Sequence, residues 1–463
     1  MKHLKTTVFI SIFAIIFTIF VSPASANPSV CGDMNKDGKI TASDALIILQ
    51  SSVGKLPKTE EGDVDHDGNV TAKDALICLQ MAVHIITEFP DESFNYKALK
   101  ADEYYSYNVL TPVQKQLYEL LSKDAKPGIS DEIAVPEGTQ ADEIDLRCAY
   151  KAYVNDHPES FWMPYSYGYS ISGLNIKKIL FNTDKTKYQF SADESNEMSK
   201  TLEQTVESVI KSVLEKDLSE SEIALRFHDY LAETVSYDYV AFEDANGAKN
   251  YPKSYTAYGA LVDKKATCEG YTKAYSLLLS RVGIVSTPII GIENDTNGGH
   301  MWSCVRISGK WYFTDVTWDS NSGHQSKAYY NQTTEVFKHS HTPSPVISEL
   351  SKDEQKKISS FNLSVPLCNS TEHNYCVMNG TYFADGEEFQ RMFPEKFAKA
   401  LDSGEKSMHI TVSDRIFSGT DDIKKILTND ILVKGLNLAK PENRISGYKM
   451  FLASNTQYFI LEW

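Results

Sequence analysis

The sequence predicts an α+β fold: a mixed helix-and-sheet body preceded by a small all-α module that binds metal. Three observations carry that prediction. An acidic loop running into an apolar helix occurs twice, beginning at Asp33 and again at Asp63. Cys268 opens a stretch with apolar residues at helical spacing: Tyr271, Ala274, Tyr275, Leu278 and Val282. His300 and Asp315 then stand at mirrored ends of an antiparallel hairpin pattern that turns at Ser308-Gly309.

The first 26 residues read as an export leader. Lys2 and Lys5 precede an apolar run from Val8 to Val21, and Ala24-Ser25-Ala26 has the small-residue pattern of a cleavage site. Ser11 and Thr18 interrupt the run, which is short for a spanning helix. The expectation is cleavage and a secreted, extracellular product without a membrane span. Lys and Arg number 46 against 62 Asp and Glu, a net charge of −16. That acidity argues against nucleic acid or anionic membrane as the main partner. At 463 residues the chain is long enough to divide into several domains.

Asp33-Met-Asn35-Lys-Asp37-Gly38-Lys39-Ile-Thr41-Ala-Ser-Asp44 is matched by Asp63-Val-Asp65-His-Asp67-Gly68-Asn69-Val-Thr71-Ala-Lys-Asp74. Oxygen side chains fall at loop positions 1, 3, 5 and 12, with glycine at the sharp turn that folds them inward. Ca²⁺ takes about six to eight oxygens, so two structural Ca²⁺ ions are expected. The expected ligands in the first loop are Asp33, Asn35, Asp37, the Lys39 carbonyl, Thr41 through water, and Asp44. In the second they are Asp63, Asp65, Asp67, the Asn69 carbonyl, Thr71 and Asp74. One such run could be a polar turn. Two in register, each entering an apolar helix, weigh against that.

Asp rather than Glu ends each loop, and a helix follows each loop without an amphipathic one before the first. Residues 30–87 therefore resemble a dockerin, the module that plugs enzymes into cohesins on a scaffold protein. The resemblance implies cohesin contacts at Ala42, Ser43, Ala72 and Lys73. It also implies a cellulosome-type assembly, the usual setting of polysaccharide catabolism, without saying what the attached body cleaves.

The expected division is a leader at 1–26, the dockerin at 27–88, a body at 89–345 with its core from about 200, and an α+β region of unassigned role at 346–463. Thr111-Pro112 opens one helix and residues 142–156 form another. The aromatic run 161–170 suits a strand, and residues 193–218 and 219–235 suit amphipathic helices. Further on, strands are expected at 361–368, 375–380, 408–412, 448–453 and 457–463, and helices at 387–401 and 421–427. The region around 454–456 turns a hairpin.

Cys268 would sit at a helix N-terminus, where the dipole favours the nucleophilic thiolate. Gly270 removes bulk beside it, and Lys264 and Lys265 add positive potential. His300, after Asn297-Gly-Gly, would be the general base. Asp315 would orient the ring and stabilise the imidazolium. The bland alternatives are a structural cysteine and a surface histidine. Their placement at the ends of one hairpin weighs against both.

From Ser254-Tyr-Thr-Ala-Tyr258-Gly-Ala-Leu-Val through Cys268-Glu-Gly-Tyr to His300-Met-Trp and Asp315-Val-Thr-Trp-Asp319, the chain resembles the transglutaminase-like superfamily, a papain-related fold. Asp156-His-Pro-Glu-Ser-Phe-Trp extends the resemblance upstream. It implies Cys268 as nucleophile, His300 as base and Asp315 as orienting acid, with no catalytic cofactor. It also implies an oxyanion hole from the Cys268 N–H and a second donor, for which Tyr258 is a candidate. Active members act on amide bonds of proteins or peptides through a thioester, resolved by water or by an amine. Hydrolysis is the favoured outcome. A non-catalytic protein- or glycan-binding module stays open, as does a polysaccharide-degrading component. The latter needs two carboxylates across a sugar-sized gap, and no pair stands out. Seven cysteines leave an odd thiol, for which Cys268 is the natural choice; Cys368 and Cys376 could pair across a hairpin, and Cys304 packs.

Overall fold

The computed structural model describes residues 31–65, 69–87, 89, 96–124, 126, 132–164, 166–181, 189–320, 326–343, 365–453 and 455–463. The leader, Asp67 and Gly68 of the second acidic loop, and residues 361–364 of one expected strand lie outside them. The chain divides into two compact units, Met1–Asn95 and Tyr96–Trp463.

In the first unit, helices α1 (Ala42–Ser52) and α2 (Ala72–Ala82) follow the two acidic loops. Each begins with a reciprocal cap. The Thr41 hydroxyl accepts from the Ser43 N–H, while the Asp44 carboxylate accepts from the Thr41 N–H; Thr71 and Asp74 repeat the device. Ile48, Val64, Ala75 and Cys78 are buried at the centre, with Met34, Ile40 and Phe89 packed against them.

The second unit opens with helices α3 (Pro112–Asp124) and α4 (Glu143–Asp156). Asp142 caps α4 by accepting from the Ile144 and Asp145 N–H groups. Strands β1 (Glu132–Ala134), β2 (Gly168–Ser172) and β3 (Asn175–Leu180) form an antiparallel sheet in the order β1-β3-β2. The expected strand at 161–170 thus begins only at Gly168. Phe161 and Trp162 are buried through a turn instead, and Pro164, lacking an N–H, could not serve a central ladder.

Helix α5 (Ala192–Val213) ends earlier than its apolar rhythm implied. Asp217 takes a positive φ of 61°, and Ser219 then caps helix α6 (Glu220–Thr234). Strands β4 (Ser236–Tyr237) and β5 (Lys265–Ala266) pair in parallel just before helix α7 (Cys268–Arg281). Next come strands β6 (Ser286–Glu293), β7 (Gly299–Ile307), β8 (Lys310–Thr314) and β9 (His341–Pro343), in the antiparallel order β8-β7-β6-β9. The β7–β8 turn is built as expected, with Ser308 and Gly309 at φ of 50° and 77°.

A mixed sheet closes the unit: strands β10 (Tyr382–Phe383), β11 (Ser407–Val412), β12 (Lys449–Leu452) and β13 (Tyr458–Glu462) in the order β10-β11-β13-β12. Helix α8 (Gly386–Ser403) covers it with Phe389, Phe393 and Phe397. The expected strand at 375–380 is a short helix, Tyr375–Met378, because the Asn374 side chain accepts from the Cys376 N–H and caps it. A second apolar cluster joins Trp302, Cys304 and Phe313 to Cys368, Tyr458 and Ile460, so the β7–β8 hairpin and the final strand share one core.

Candidate active site

Cys268 is the first residue of α7 and is partly exposed. Thr267 precedes it without capping the helix. Its hydroxyl donates to the Ser254 carbonyl, so the N–H groups of the first turn remain available for charge developing at the thiol. Contacts along α7 set its position. Tyr275 donates to the Ala224 carbonyl at 3.0 Å, Tyr271 donates to the Val235 carbonyl, and the Thr272 hydroxyl donates to the Met301 carbonyl at 3.1 Å. The last of these ties the thiol-bearing helix to the residue after His300.

His300 lies near the start of β7 and is 8% exposed. The last β7–β8 pair is Ser303 with Thr314, so Asp315 leaves β8 one residue beyond it. The His300 Nε2 lies 2.6 Å from the Asp315 Oδ2. The thiol of Cys268 lies beside the same ring and helps to raise its pKa. With Nε2 taken by the carboxylate, Nδ1 is the nitrogen left for sulfur. Burial works against a charged ring, yet the Asp315 carboxylate and the thiol outweigh it and push the His300 pKa up to about 10. Burial likewise opposes the Asp315 charge, but the two imidazoles beside it hold its carboxyl well below the usual range. The other Asp315 oxygen accepts from the Thr317 and Trp318 N–H groups at 3.0 and 3.2 Å.

In the first unit, Asp33 accepts from the Asp37 and Gly38 N–H groups, and Asp37 from the Lys39 N–H. Gly38 has φ of 82°, the turn expected at that loop position. Asp63, Asp65 and Asp74 bring carboxylate oxygens within 4.8 Å of one another, and Asp65 and Asp74 are fully buried. Three converging acids suit a hard divalent cation, which offsets their mutual repulsion. Asp44 and Asp74 also serve as the caps of α1 and α2.

Residues 207–316 match the Transglutaminase-like superfamily, and residues 31–80 match the Dockerin type I domain. The chain carries a dockerin followed by a transglutaminase-like domain. Solved structures similar to it include a candidate cysteine protease from Cytophaga hutchinsonii, at 15% identity over 25% of this chain and 37% of that one, TM-score 0.21. A TGase matches at 14% identity over 47% and 61% of the two chains, TM-score 0.25. Menin, whose structure reveals the binding site for Mixed Lineage Leukemia protein, matches at 14% identity over 53% and 52%, TM-score 0.21. The chain thus spans less than two thirds of each. No curated protein matches it. Dockerin type I domains in general bind Ca²⁺ and the cohesins of scaffold proteins. No helix among the described residues is long and apolar enough to cross a membrane.

Within the transglutaminase-like domain, two residues beside the trio escaped the sequence reading. Tyr237, at the end of β4, is close enough to Cys268 for the two to perturb each other's ionisation. Tyr258 does not take that place. It packs against Phe161 with ring centroids 5.9 Å apart, beneath the Lys253 ammonium. Sequence spacing could not choose between tyrosines, because the parallel pairing of β4 with β5 is what carries Tyr237 to the thiol. The other is His341 on β9, whose Nε2 lies 3.1 Å from the same Asp315 Oδ2.

Three expectations about the surroundings are corrected. Gly270 does not open a path for substrate: a Cβ there would lie 2.6 Å from the Ser254 carbonyl oxygen and 2.7 Å from the Ala266 Cβ, so glycine permits close packing. The added lysines are engaged elsewhere, Lys265 with Asp238 at 2.9 Å and Lys264 with the Tyr230 hydroxyl. Cys368 faces Cys304 at 3.5 Å rather than Cys376, and all seven cysteines are free thiols. Burial pushes the thiols of Cys148 and Cys376 up to about 12 and 11.

Two hollows flank the trio. A cavity of about 630 Å³ is lined by Trp318, Tyr329, Phe451 and Tyr458, and the Trp318 ring lies 5.6 Å from His300. One of about 350 Å³ is lined by Tyr150, Phe161, Met163, Glu269, Lys273 and Met301.

Proposed function

We propose that this dockerin-bearing protein is a cysteine enzyme that cleaves amide or peptide bonds through Cys268, His300 and Asp315. The observation that supports it most is one histidine ring joined at Nε2 to a buried carboxylate, 2.6 Å away, beside a thiol at a helix N-terminus. That is the arrangement a thiolate–imidazolium pair needs. The Cys268 sulfur attacks the substrate carbonyl carbon, forming a C–S bond as the C=O π pair moves to oxygen. The Cys268 N–H and the Tyr237 hydroxyl are the donors we assign to that oxyanion. Collapse expels the amine, which takes the His300 proton, and leaves a thioester. Water then attacks, His300 takes its proton, and the acid and free thiol are released. An acceptor amine in place of water would give acyl transfer instead.

The substrate is a protein or peptide met where the dockerin holds the enzyme on a cohesin scaffold. Ala42, Ser43, Ala72 and Lys73 are exposed at the starts of α1 and α2, as cohesin contacts require. Beside them run matching exposed apolar rows, Leu46 and Leu49 on α1 with Val53 just after it, and Leu76 and Leu79 on α2 with Val83 just after it. Asp33, Asn35, Asp37, Lys39, Thr41, Asp44 and their counterparts Asp63, Asp65, Asp67, Asn69, Thr71 and Asp74 would hold two Ca²⁺ ions. Incubating the enzyme with a secreted proteome should create new protein termini that Cys268→Ala does not create. New cross-links without new termini would assign it to acyl transfer, and neither product would reject the enzymatic reading.

A further inference from the structure

Asp315 serves two imidazoles with one oxygen. Its Oδ2 lies 2.6 Å from the His300 Nε2 and 3.1 Å from the His341 Nε2. His341 comes from a different strand, β9, where it pairs with Glu293 of β6. Its ring is 1% exposed and boxed by aromatic rings. Trp318 and Phe337 each lie 4.4 Å away by ring centroid, and Trp302 lies 4.9 Å away.

The tautomer of His341 follows from its partners. An ionised carboxylate faces Nε2, so Nε2 carries a proton. Burial disfavours a second one and lowers the His341 pKa, against the opposing pull of Asp315. Nδ1 is therefore an acceptor, and the Ser340 hydroxyl donates to it at 2.8 Å. The result is a buried run of hydrogen bonds from Ser340 through His341 and Asp315 to His300.

We propose that His341 is a positioning residue for this site, donating its Nε2–H to the carboxylate oxygen that His300 shares and so limiting how tightly Asp315 holds the imidazolium. The proposal rests on the catalytic reading above. A lone buried carboxylate would bind the His300 proton more strongly and yield it more slowly to a leaving amine. A second, neutral donor takes part of that negative charge and also prevents Asp315 from turning. The titratable groups facing His341 are His300 on β7, Asp315 after β8, Glu293 on β6 and Tyr329. Of these, only Asp315 lies within hydrogen-bond distance of Nε2.

The test is the pH profile of Cys268 carboxymethylation by iodoacetate in the full chain. The thiolate displaces iodide, and the anionic reagent is drawn by the imidazolium, so the alkaline limb reports loss of the His300 proton. His341→Phe fits the aromatic box without an N–H and should move that limb up by about one unit. His341→Gln keeps an N–H at the Nε2 position and should restore the wild-type limb. Ser340→Ala leaves the ring in place but removes the donor to Nδ1, and should move the limb the same way by less. Should His341→Phe fail to fold, Ser340→Ala decides alone. A bell-shaped wild-type profile with an unmoved limb in the variants overturns the proposal for His341 only. A wild-type profile rising once, as for an ordinary thiol, overturns the catalytic reading and this proposal with it.

Discussion

The His300 Nε2 meets the Asp315 Oδ2 at 2.6 Å across the open end of the β7–β8 hairpin, with both side chains buried. Burial opposes the charge, but the Asp315 carboxylate and the Cys268 thiol outweigh it, and the imidazolium persists well above the ordinary histidine range, to about 10. The sign follows from linkage. The raised His300 pKa adds stability in full below the ordinary value of about 6.5, and that contribution fades as pH rises through 10. The depressed Asp315 pKa adds stability above the ordinary value of about 3.9, and that is lost as pH falls. Asp315→Asn should lower turnover of a cleavable peptide by about 10³ to 10⁴ and pull the alkaline limb of the rate profile down toward an ordinary histidine. An unchanged limb would argue that the carboxylate does not hold the imidazolium.

Tyr237→Phe removes the hydroxyl assigned to the oxyanion. It should cut the rate of acylation by about 10² to 10³ and leave carboxymethylation of the resting thiol unchanged, since alkylation forms no oxyanion. Tyr258→Phe should do neither. Equal losses in both reactions would mean that Tyr237 places the helix rather than stabilising charge.

Gly270→Ala drives a methyl group into the Ser254 carbonyl. Overpacking of this kind costs roughly 1–3 kcal/mol, so the melting temperature of the transglutaminase-like domain should fall. Wild-type stability with slower substrate turnover would instead restore the idea that glycine clears a path for substrate.

Chelation of Ca²⁺ should unfold the dockerin and abolish cohesin binding, while thiol labelling in the transglutaminase-like domain persists. Leu46→Asp with Leu76→Asp should also abolish cohesin binding, but with the helical circular dichroism of the dockerin retained. Cohesin binding that survives chelation would contradict the assignment of the acidic loops.

The buried thiols of Cys304 and Cys368 lie 3.5 Å apart. Mild oxidation should join these two, and peptide mapping should recover Cys304–Cys368. A Cys368–Cys376 bridge would contradict the packing of the Tyr375–Met378 helix.

The two acidic loops with their helices, the helix at Cys268, and the hairpin between His300 and Asp315 were all legible in the sequence, because each depends on contacts between residues close in the chain. Capping at Thr41 and Thr71, helical spacing after Cys268, and a turn that accepts positive φ at Ser308 and Gly309 are local effects. Where a local cue was missed the cause was also local. Asn374 caps a helix where the apolar pattern implied a strand, and Leu214 turns to extended backbone where the pattern continued a helix.

What surrounds the thiol was decided by tertiary structure. Tyr237 reaches Cys268 through the pairing of β4 with β5, and His341 reaches Asp315 because β9 joins the far edge of β6. Gly270, Lys264 and Lys265 looked functional beside Cys268, yet the fold commits them to packing and to partners elsewhere. A sequence displays which residues are chemically able to act. Pairings between distant strands determine which of them share one buried space, and that burial is what turns neighbouring groups into a coupled network.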